Sequence, residues 1–440
     1  MSSRNYHSLA ILLIVLLFMT IAFPSYAEAP KEQSSGAYTY IVNDDGTATI
    51  THIYTATFSW GNDNPTIASS LGGHVVTTLA YNVFESNEYL EYLTIPDSIV
   101  KFEGNPFVGL SGLTTITVSK NHPTFATIDG VLFDKTTKTL LCYPIGIESE
   151  GYTIPSGIVA IGDSAFGSAG LKSISIPESV TEIGDYAFNF CGLSEITLPP
   201  YLEKIGAGAF RGNRITDIVL PDTLKEIGDL AFIDADFTDL FIPASVEKLG
   251  ANPFLRAKCQ IRIDDANKYY RVIDGVVFDY AAEKIICYPL SLNDRVYSIP
   301  ETCKVIGESS FAYTSAELEE VIIPSSVEII EEGSFASSSI KNMVIGSKVT
   351  TIPDRCFNFC DNLESITIPD TVTSIGSEAF NFCEIDQIYV PASVVDIGEK
   401  AFGGSLTDIK LLVEEGSYAE QYAKSNKLKY SYPESTDWLN

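Results

Sequence analysis

Histidine is scarce in this chain of 440 residues: the sequence has four, His7, His52, His74 and His122, and none of them lies in the regular repeats. Catalysis by a serine or cysteine nucleophile needs a histidine beside the nucleophile, so this scarcity argues against such enzymes. The eight cysteines include no C-x-x-C pair, which is the spacing typical of a structural zinc site. We therefore expect no metal cluster, no cofactor and no histidine-based active site.

Positive charge is also in short supply. The chain has 28 lysines and arginines against 57 acidic residues, and its formal net charge is −29. Such a field repels nucleic acid and anionic lipid, so we expect neither as a partner. The acids either form a solvated outer surface or contact cations and basic partners, and the sequence favours the solvated surface.

The longest apolar run at the N-terminus is short for a membrane span. Arg4 and His7 precede a run of 15 apolar residues from Leu9 to Phe23, and residues 25–27 (S-Y-A) place small residues where a signal peptidase cuts. A membrane span needs about 20 residues, so a cleaved signal peptide over residues 1–27 is the preferred interpretation and an uncleaved anchor the alternative. Cleavage would remove Arg4 and leave a net charge of −30. We expect a secreted or cell-surface protein.

One phrase recurs along most of the chain: L-x-x-I-x-I-P-x-S-V-x-x-I-G-x-x-A-F, as in residues 171–188 and 193–210. Prolines 155, 177, 199, 221 and 243 follow one another at intervals of 22 residues. A second series has spacings of 22 to 24 residues and consists of Pro300, Pro324, Gly346, Pro369 and Pro391. A short fixed period predicts a β-rich solenoid of stacked coils, and about fourteen coils would extend for ~65 Å.

The first half of each coil has the pattern of a half-buried strand. Leu171, Ile174 and Ile176 alternate with polar residues, which indicates a strand with one buried face. Pro177 ends this strand because it has no N–H to donate to a neighbouring strand.

The second half of each coil is expected to return the chain through the interior. Val180 and Ile183 point inward, and a helical turn then places Ala187 and Phe188 as a plug in the core. Gly184 recurs at the same place in most coils, which suggests a positive φ that other residues resist.

Two irregular islands interrupt the period in the same way. Each contains an apolar run, a short polar link and a second apolar run, at residues 128–144 and 273–289, and we interpret each as an inserted β-hairpin. Pro106 and Pro253 occupy the same place before the two islands and are 147 residues apart, which implies that a whole block was duplicated.

Caps should close both ends, because a bare terminal coil exposes a sheet edge and a core face. The sequence predicts a hairpin around Asp45-Gly46, a helix over residues 417–426 and an extended segment over residues 428–432. The predicted domains are a signal peptide (1–27), an N-terminal cap with the first coil (28–85), the solenoid (86–412) and a C-terminal cap (413–440).

Several cysteines occupy core positions of the repeat. Cys191, Cys360 and Cys383 each end an F-N-F-C phrase, and Cys303 and Cys356 replace core valine and alanine. A buried free cysteine behaves as a small apolar residue. We therefore predict mostly free thiols rather than disulfides.

The repeated phrase, the D-G-V-L-F island at residues 129–133 and the closing G-S-Y-A-E-Q-Y-A-K at residues 416–424 resemble the BspA-type leucine-rich repeat proteins of bacterial cell surfaces. The resemblance implies a curved solenoid with a parallel sheet on its concave side. It also implies export and a role in adhesion, in binding host matrix or other host proteins, or in aggregation with other cells. It brings no catalytic motif.

Outward-facing strand positions supply the candidate site. Glu195, Asp217 and Asp239 should stack at the ~4.8 Å spacing of neighbouring strands. This is close to the ~5–5.5 Å that separates the carboxyl groups of retaining glycosidases, and it also suits a divalent cation. A flat sheet offers no enclosed pocket, however, so solvated acids are the preferred interpretation. The outward apolar residues are Val219, Phe241, Ile322, Val344 and Tyr389.

The site hypothesis combines charge with an aromatic anchor. Glu195, Asp217, Asp239, Phe241 and Arg262 form the expected ligand-binding stretch, because binding hot spots often combine such groups. We expect a non-enzymatic, monomeric adhesion protein that presents its concave surface to an extracellular protein or glycan, with the host matrix as one source of that ligand. The alternative is a carbohydrate-active solenoid enzyme that uses the stacked carboxylates.

Overall fold

The computed structural model describes residues 31–54, 65–84, 89–404 and 409–433, which form a stack of coils around a hydrophobic interior. The predicted signal peptide lies outside these ranges. The β-rich solenoid predicted from the period of the sequence is confirmed.

A β-hairpin begins the N-terminal cap, as predicted. β2 and β3 pair in antiparallel fashion, and Gly46 in the loop between them has a φ of +80°. The cap strands are β1 (Gln33–Ser35), β2 (Tyr38–Val42), β3 (Ala48–Ile53), β4 (Ser70–Leu71) and β5 (His74–Leu79).

The first coils lead into the first island. The strands are β6 (Tyr92–Ile95), β7 (Lys101–Phe102), β8 (Thr115–Val118), β9 (Phe125–Ile128), β10 (Val131–Asp134) and β11 (Thr139–Cys142). β6 pairs with β8 in parallel fashion, and β9, β10 and β11 form an antiparallel meander. The hairpin expected at residues 128–144 is therefore present as β10 and β11.

The regular coils that follow contain longer strands and strands of two residues, and three of the two-residue strands follow one another. They are β12 (Gly151–Thr153), β13 (Ala160–Ile161), β14 (Ser173–Ser175), β15 (Glu182–Ile183), β16 (Lys204–Ile205), β17 (Glu226–Ile227), β18 (Asp239–Ile242), β19 (Lys248–Leu249) and β20 (Gln260–Ile263). The two-residue strands form one parallel sheet that continues from β11 to β19. The longer strands define a second face, which we call the strand face.

The second island repeats the first. Its strands β21 (Tyr270–Ile273), β22 (Val276–Asp279) and β23 (Lys284–Cys287) form the same antiparallel meander. β23 then pairs in parallel fashion with a two-residue strand of the next coil, as β11 does with β13. The two islands thus have the same architecture, as the duplication inferred from the sequence predicts.

The remaining coils alternate in the same manner up to the C-terminal cap. They contain β24 (Val296–Ser298), β25 (Val305–Ile306), β26 (Glu320–Ile322), β27 (Ile329–Ile330), β28 (Asn342–Val344), β29 (Thr351–Ile352), β30 (Ser365–Thr367), β31 (Ser374–Ile375), β32 (Gln387–Val390), β33 (Asp396–Ile397) and β34 (Lys410–Val413). Helix α1 (Tyr418–Asn426) and β35 (Lys429–Ser431) close the stack, which confirms both predicted cap elements. The hydroxyl of Ser417 caps α1 by accepting the N–H of Glu420 at 3.2 Å.

A column of phenylalanine rings runs through the interior. Phe188 is fully buried, and its ring centroid lies 5.2 Å from that of Phe166 and 5.4 Å from that of Phe210. Ala187 is also fully buried. The Ala-Phe plug predicted from the repeat is therefore confirmed.

The backbone around this plug is not helical, so the predicted helical turn is wrong. Tyr186 and Phe190 have φ values of +55° and +49°. With these left-handed residues in the turn, every second N–H of residues 186–190 points along the stack instead of back along a helix. The N–H groups of Tyr186, Phe188 and Phe190 donate to the carbonyls of the next coil at 2.7 to 2.8 Å. We call this third side of the coil the turn edge.

The recurring glycine has a different physical cause from the one expected. The φ of Gly184 and of Gly206 lies outside the left-handed region. A Cβ on Gly206 would instead lie 2.6 Å from the carbonyl carbon of Gly184 in the previous coil. The glycine allows two backbones to pack closely, and it is not needed for a left-handed turn.

The strand face is less continuous than the sequence indicated. Residues 193–199 and 215–221 keep an alternation of buried and exposed side chains, but no strand ladder joins them to their neighbours. Coils in this region are held by the two-residue strands and by the turn edge, so their spacing does not depend on a third ladder. The parallel strands therefore form several short sheets.

Candidate functional site

The stacked carboxylates predicted on the strand face do not form a ladder. Glu195 and Asp217 are exposed and lie in the two segments that have no strand pairing, whereas Asp239 begins β18. Strand pairing therefore does not hold the three carboxylates in one register. A glycosidase or cation site at these residues gains no support from a shared strand ladder.

Three of the predicted site residues do come together on β18 and β20. These strands pair in parallel, with Phe241 opposite Arg262. The Arg262 Nε donates to Asp239 Oδ1 at 3.0 Å, and its Nη2 donates to Oδ2. The guanidinium carbon lies 6.0 Å from the centroid of the Phe241 ring. The prediction that these side chains lie together is correct. The sequence did not show that the Arg262 guanidinium is already paired with the Asp239 carboxylate.

The ion pair fixes the charge of both partners. The Arg262 guanidinium lowers the pKa of Asp239 below its usual value, and Asp239 in turn raises the pKa of Arg262. The pair is exposed to solvent, so it contributes little to stability. It does hold the guanidinium above the aromatic ring, where a ligand would meet a prearranged surface.

The other outward apolar positions agree with the predicted facing of the strands. Val219, Ile322 and Val344 are exposed, by 78%, 47% and 64% respectively. Tyr389 is half-buried, and its hydroxyl donates to Glu414 Oε1 at 2.8 Å. These exposed positions are distributed along the strand face.

A cleft of about 730 Å³ opens where the second island folds away from β20. Its lining consists of Phe241, Ile261, Arg262, Ile263, Asp264, Asp265, Asn267, Tyr270, Arg271, Val272 and Tyr280. The cleft therefore joins the predicted Phe241–Arg262 pair to groups from the island. We call it the island cleft.

The wall of the cleft that the second island contributes was not predicted from the sequence. Tyr280 is 54% exposed, and the guanidinium carbon of Arg271 lies 5.8 Å from the centroid of its ring. The signal was present as the run K-Y-Y-R at residues 268–271, which is rich in aromatic and basic residues. The sequence does not show that this run lies close to Arg262, because that proximity depends on how the island folds.

A buried asparagine fixes the floor of the cleft. The Nδ2 of Asn267 donates to the carbonyls of Pro243 and Val246 at 3.1 and 3.0 Å. Its Oδ1 accepts the N–H groups of Tyr269 and Tyr270 at 2.8 and 2.9 Å. The two bonds of Nδ2 hold this segment against the preceding coil, and the two bonds of Oδ1 fix the turn that leads into the island, so the two walls of the cleft keep a fixed relative position.

Two carboxylates line the cleft, those of Asp264 and Asp265. Asp264 Oδ1 accepts the N–H of Ala266 at 2.8 Å within its turn, and Asp239, beside the cleft, pairs with Arg262. Among the described residues, no three His, Cys, Asp or Glu side chains are grouped so that they could hold a metal ion. The arrangement offers a ligand aromatic faces, two arginines and two neighbouring acids.

Histidine has structural roles at two places. His74 Nδ1 lies 2.8 Å from the carbonyl oxygen of Gly46 in the N-terminal cap. His122 is fully buried in the first island, where its Nδ1 accepts the N–H groups of Thr124 and Phe125 at 3.2 and 3.0 Å. Its Nε2 lies 3.3 Å from the carbonyl of Pro96. His122 therefore does in the first island what Asn267 does in the second.

All eight cysteines are buried, and each retains its thiol. Burial raises the pKa of Cys142 and of Cys191 to about 12, which keeps both protonated and unreactive. The Sγ atoms of Cys360 and Cys383 donate to the carbonyls of Phe335 and Phe357 at 3.1 and 2.9 Å. The thiol state predicted from their core positions is found in the structure.

Comparison with known proteins places this architecture among bacterial repeat proteins. A family model described as a BspA type leucine rich repeat region, in six copies, matches residues 46–149, 146–261 and 288–407. A leucine rich cell surface protein of Faecalibacterium prausnitzii A2-165 is 27% identical, with a TM-score of 0.56 over 90% of this chain and 98% of that one.

The fold is also similar to that of the pneumococcal vaccine antigen PcpA, with 20% identity and a TM-score of 0.50 over 93% of this chain and 100% of that one. No curated protein sequence matches this chain significantly. In the part of the chain that the structure describes, no helix has the length and apolar composition needed to cross a bilayer.

Proposed function

The chain belongs to the BspA-type leucine-rich repeat family, and on this premise we propose that it is an exported, non-enzymatic binding protein that holds an extracellular protein or glycan in the island cleft. The observation that carries the proposal is the junction of Phe241 and Arg262 with Arg271 and Tyr280 around one cleft. Aromatic and arginine side chains of this kind dominate binding hot spots.

The shape of the cleft supports binding of a large ligand. Its walls come from a regular coil and from the second island, and it opens onto the strand face, where Phe241 is 44% exposed. A ligand can therefore place one group in the cleft while the rest extends along the strand face.

A binding role is favoured over the carbohydrate-active alternative. The enzyme hypothesis required Glu195, Asp217 and Asp239 to stand in register, and the first two lie in segments without strand pairing. Asp239 is also held by Arg262. The cleft supplies aromatic and arginine contacts for recognition, and one of its two lining carboxylates, Asp264, is engaged within its own turn.

The proposed location is the bacterial cell surface or its surroundings. Residues 1–27 have the composition of a signal peptide, and the similar protein of Faecalibacterium prausnitzii is a cell surface protein. The net charge of −29 opposes contact with nucleic acid and anionic lipid. We expect the mature chain to act as an elongated monomer toward host matrix proteins or glycans.

The test is a binding screen of the mature chain against immobilised matrix proteins and a glycan array. For any ligand found, the double substitution Phe241→Ala and Tyr280→Ala should weaken binding at least about tenfold, which is about 1.4 kcal/mol. Ser175→Ala, an exposed position on a distant coil, is the matched control and should leave affinity unchanged.

Two outcomes would contradict the proposal. One is a ligand whose affinity is the same in the double variant, with the melting temperature also unchanged. The other is turnover of a polysaccharide by the wild-type chain that is lost in Asp239→Asn.

A further inference from the structure

The two duplicated blocks differ at the turn edge beside their islands. In the second block an apolar cluster fills this position: Ile233, Leu255 and Ala312 are buried, and Leu230 and Ala336 pack against them. The buried residues retain less than a tenth of their exposure. The edge of the second block is therefore closed by ordinary core packing.

The first block has smaller or polar residues at three of the five equivalent places. N-P-F-V at residues 105–108 aligns with N-P-F-L at residues 252–255, so Val108 replaces Leu255. In the coils after the island, Gly167 replaces Ala312 and Asn189 replaces Ala336. The equivalence is structural as well, because Asn105 Nδ2 donates to Ser164 O just as Asn252 Nδ2 donates to Ser309 O.

A cavity of about 570 Å³ lies at this position in the first block, and we call it the edge cavity. Val108, Gly167 and Asn189 all line it. Its volume is within the roughly 300–1,000 Å³ that small-molecule sites usually have. The position beside the island is thus filled by apolar side chains in the second block and is a cavity in the first.

Two buried polar atoms at the edge cavity have no hydrogen-bond partner. They are the Oδ1 of Asn189 and the Nε of Arg211, and both residues line the cavity. The Arg211 guanidinium is held over the ring of Phe190, 5.4 Å from its centroid. A buried polar atom without a partner is destabilising, so a ligand that accepts from Arg211 and donates to Asn189 would be stabilised here.

The charge of the lining is unusual for this chain. The sequence has 57 acidic residues, yet none of the described residues that line the cavity is Asp or Glu, and Arg211 is the one charged side chain among those described. Tyr81 and Tyr186 also line the cavity and are 57% and 42% exposed, so they present aromatic surface at its opening. The cavity therefore combines an anion-binding group, an acceptor for a hydroxyl, and aromatic faces.

We infer that the edge cavity binds a sugar ring that carries a carboxylate, free or at the end of a glycan. The carboxylate is held by Arg211, a ring hydroxyl donates to the Oδ1 of Asn189, and the apolar face of the ring packs on Tyr81 or Tyr186. Arginine suits this role because its planar fork matches a carboxylate. The site is separate from the island cleft and does not depend on the function proposed for it.

Calorimetry with the mature chain tests the ligand class. The probes are glucuronate, galacturonate and N-acetylneuraminate, each compared with neutral glucose or galactose at one ionic strength. At least one acidic sugar should bind, and the neutral sugars should bind at least about tenfold more weakly. The methyl glycoside of that acidic sugar distinguishes a glycan end, which tolerates the added group, from a free sugar acid.

The second block supplies the matched variant. Val108→Leu, Gly167→Ala and Asn189→Ala together copy three of the five side chains of the cluster found there, and a Cβ on Gly167 would meet its nearest neighbour, Ser164 O, at an ordinary 3.5 Å. This triple variant should keep or raise the melting temperature and lose binding. Arg211→Gln should also reduce binding at least about tenfold, whereas Phe241→Ala in the island cleft should not change it.

The inference is overturned if the triple variant folds and still binds the acidic sugar. It is also overturned if neutral sugars, acetate or an acidic peptide bind as tightly as the acidic sugars, because the cavity would then not recognise a carboxylate on a sugar ring. If no acidic sugar binds at millimolar concentration, the inference is wrong.

Discussion

The recurring glycine shows how a correct residue pattern can have an unexpected cause. The repeat indicated that position 206 and its equivalents reject a side chain, which the structure bears out. The sequence could not distinguish a left-handed turn from a close approach, because glycine serves both. Only the stacked coils show that a Cβ on Gly206 would lie 2.6 Å from the Gly184 carbonyl carbon.

Replacing this glycine should therefore be costly although its φ is ordinary. Gly206→Ala forces two coils apart, and overpacking of this kind costs about 1–3 kcal/mol. Gly167→Ala is the control, since its Cβ would meet Ser164 O at 3.5 Å. Urea unfolding followed by circular dichroism should show a clear loss of stability for Gly206→Ala alone; equal stability of the two variants would contradict the close-approach explanation.

Arg262 and Asp239 illustrate the limits of residue-level prediction in the candidate site. The alternation of the strand places both outward, which is correct. Their pairing was not predicted, although Arg262 stands 23 residues after Asp239 and thus one coil further along. Many surface ion pairs follow the same rule, among them Lys204–Glu182, Lys225–Glu203 and Lys248–Glu226.

At the scale of single elements, the islands were predictable and the turn edge was not. Two apolar runs with a polar link are a local signal of a hairpin, and β10–β11 and β22–β23 confirm it. The turn edge depends on left-handed residues such as Tyr186 and Phe190, which have no sequence signature. Hydrogen bonds to the next coil stabilise that conformation, so it exists only in the stack.

The island cleft and the edge cavity could not be predicted for a related reason. Each forms where an island meets regular coils, so it depends on residues distant in sequence, such as Phe241 with Tyr280 or Val108 with Asn189. The duplication visible in the sequence does reveal which positions differ between the blocks. It does not reveal that those positions share one cavity.

His122 gives the first island a dependence on pH that the second island lacks. Burial lowers the pKa of His122, and its Nδ1 accepts two backbone N–H groups, so the folded state favours the neutral ring. Because the unfolded chain binds the proton near pH 6.5, this contribution to stability is present above that pH and declines as the pH falls below it.

The substitution His122→Asn tests this account, since Asn267 makes the equivalent contacts in the second island. The variant should fold, and its melting temperature should fall less than that of the wild type between pH 7 and pH 5. The same acid dependence in both proteins would show that His122 does not titrate with unfolding. His74→Asn, in the N-terminal cap, controls for removal of a histidine elsewhere.

For the whole molecule, the repeat period was enough to predict the stacked architecture, and local patterns predicted the hairpin and the helix at its two ends. The continuity of the strand face was overestimated, because two coils keep the pattern of buried and exposed residues without forming a strand ladder. Side-chain alternation reports which face is buried. It does not report whether neighbouring coils pair on every face.

The stacked fold predicts an extended particle in solution. A compact sphere of this length would have a radius of gyration of about 22 Å and would thus be about 57 Å across, whereas about fourteen coils stack for ~65 Å before the caps are added. Small-angle X-ray scattering of the chain without residues 1–27 should give a maximum dimension clearly above that of the sphere, an elongated profile and the mass of a monomer. A profile with the dimension of the compact sphere would contradict this prediction.

Every second N–H of the turn edge donates along the stack, from one coil to the next. A pull on the two ends therefore loads these bonds one coil at a time rather than all together. Each coil of 22 residues that detaches frees about 75 Å of extended chain. Under tension the molecule would lengthen in steps at nearly constant force and dissipate the applied work.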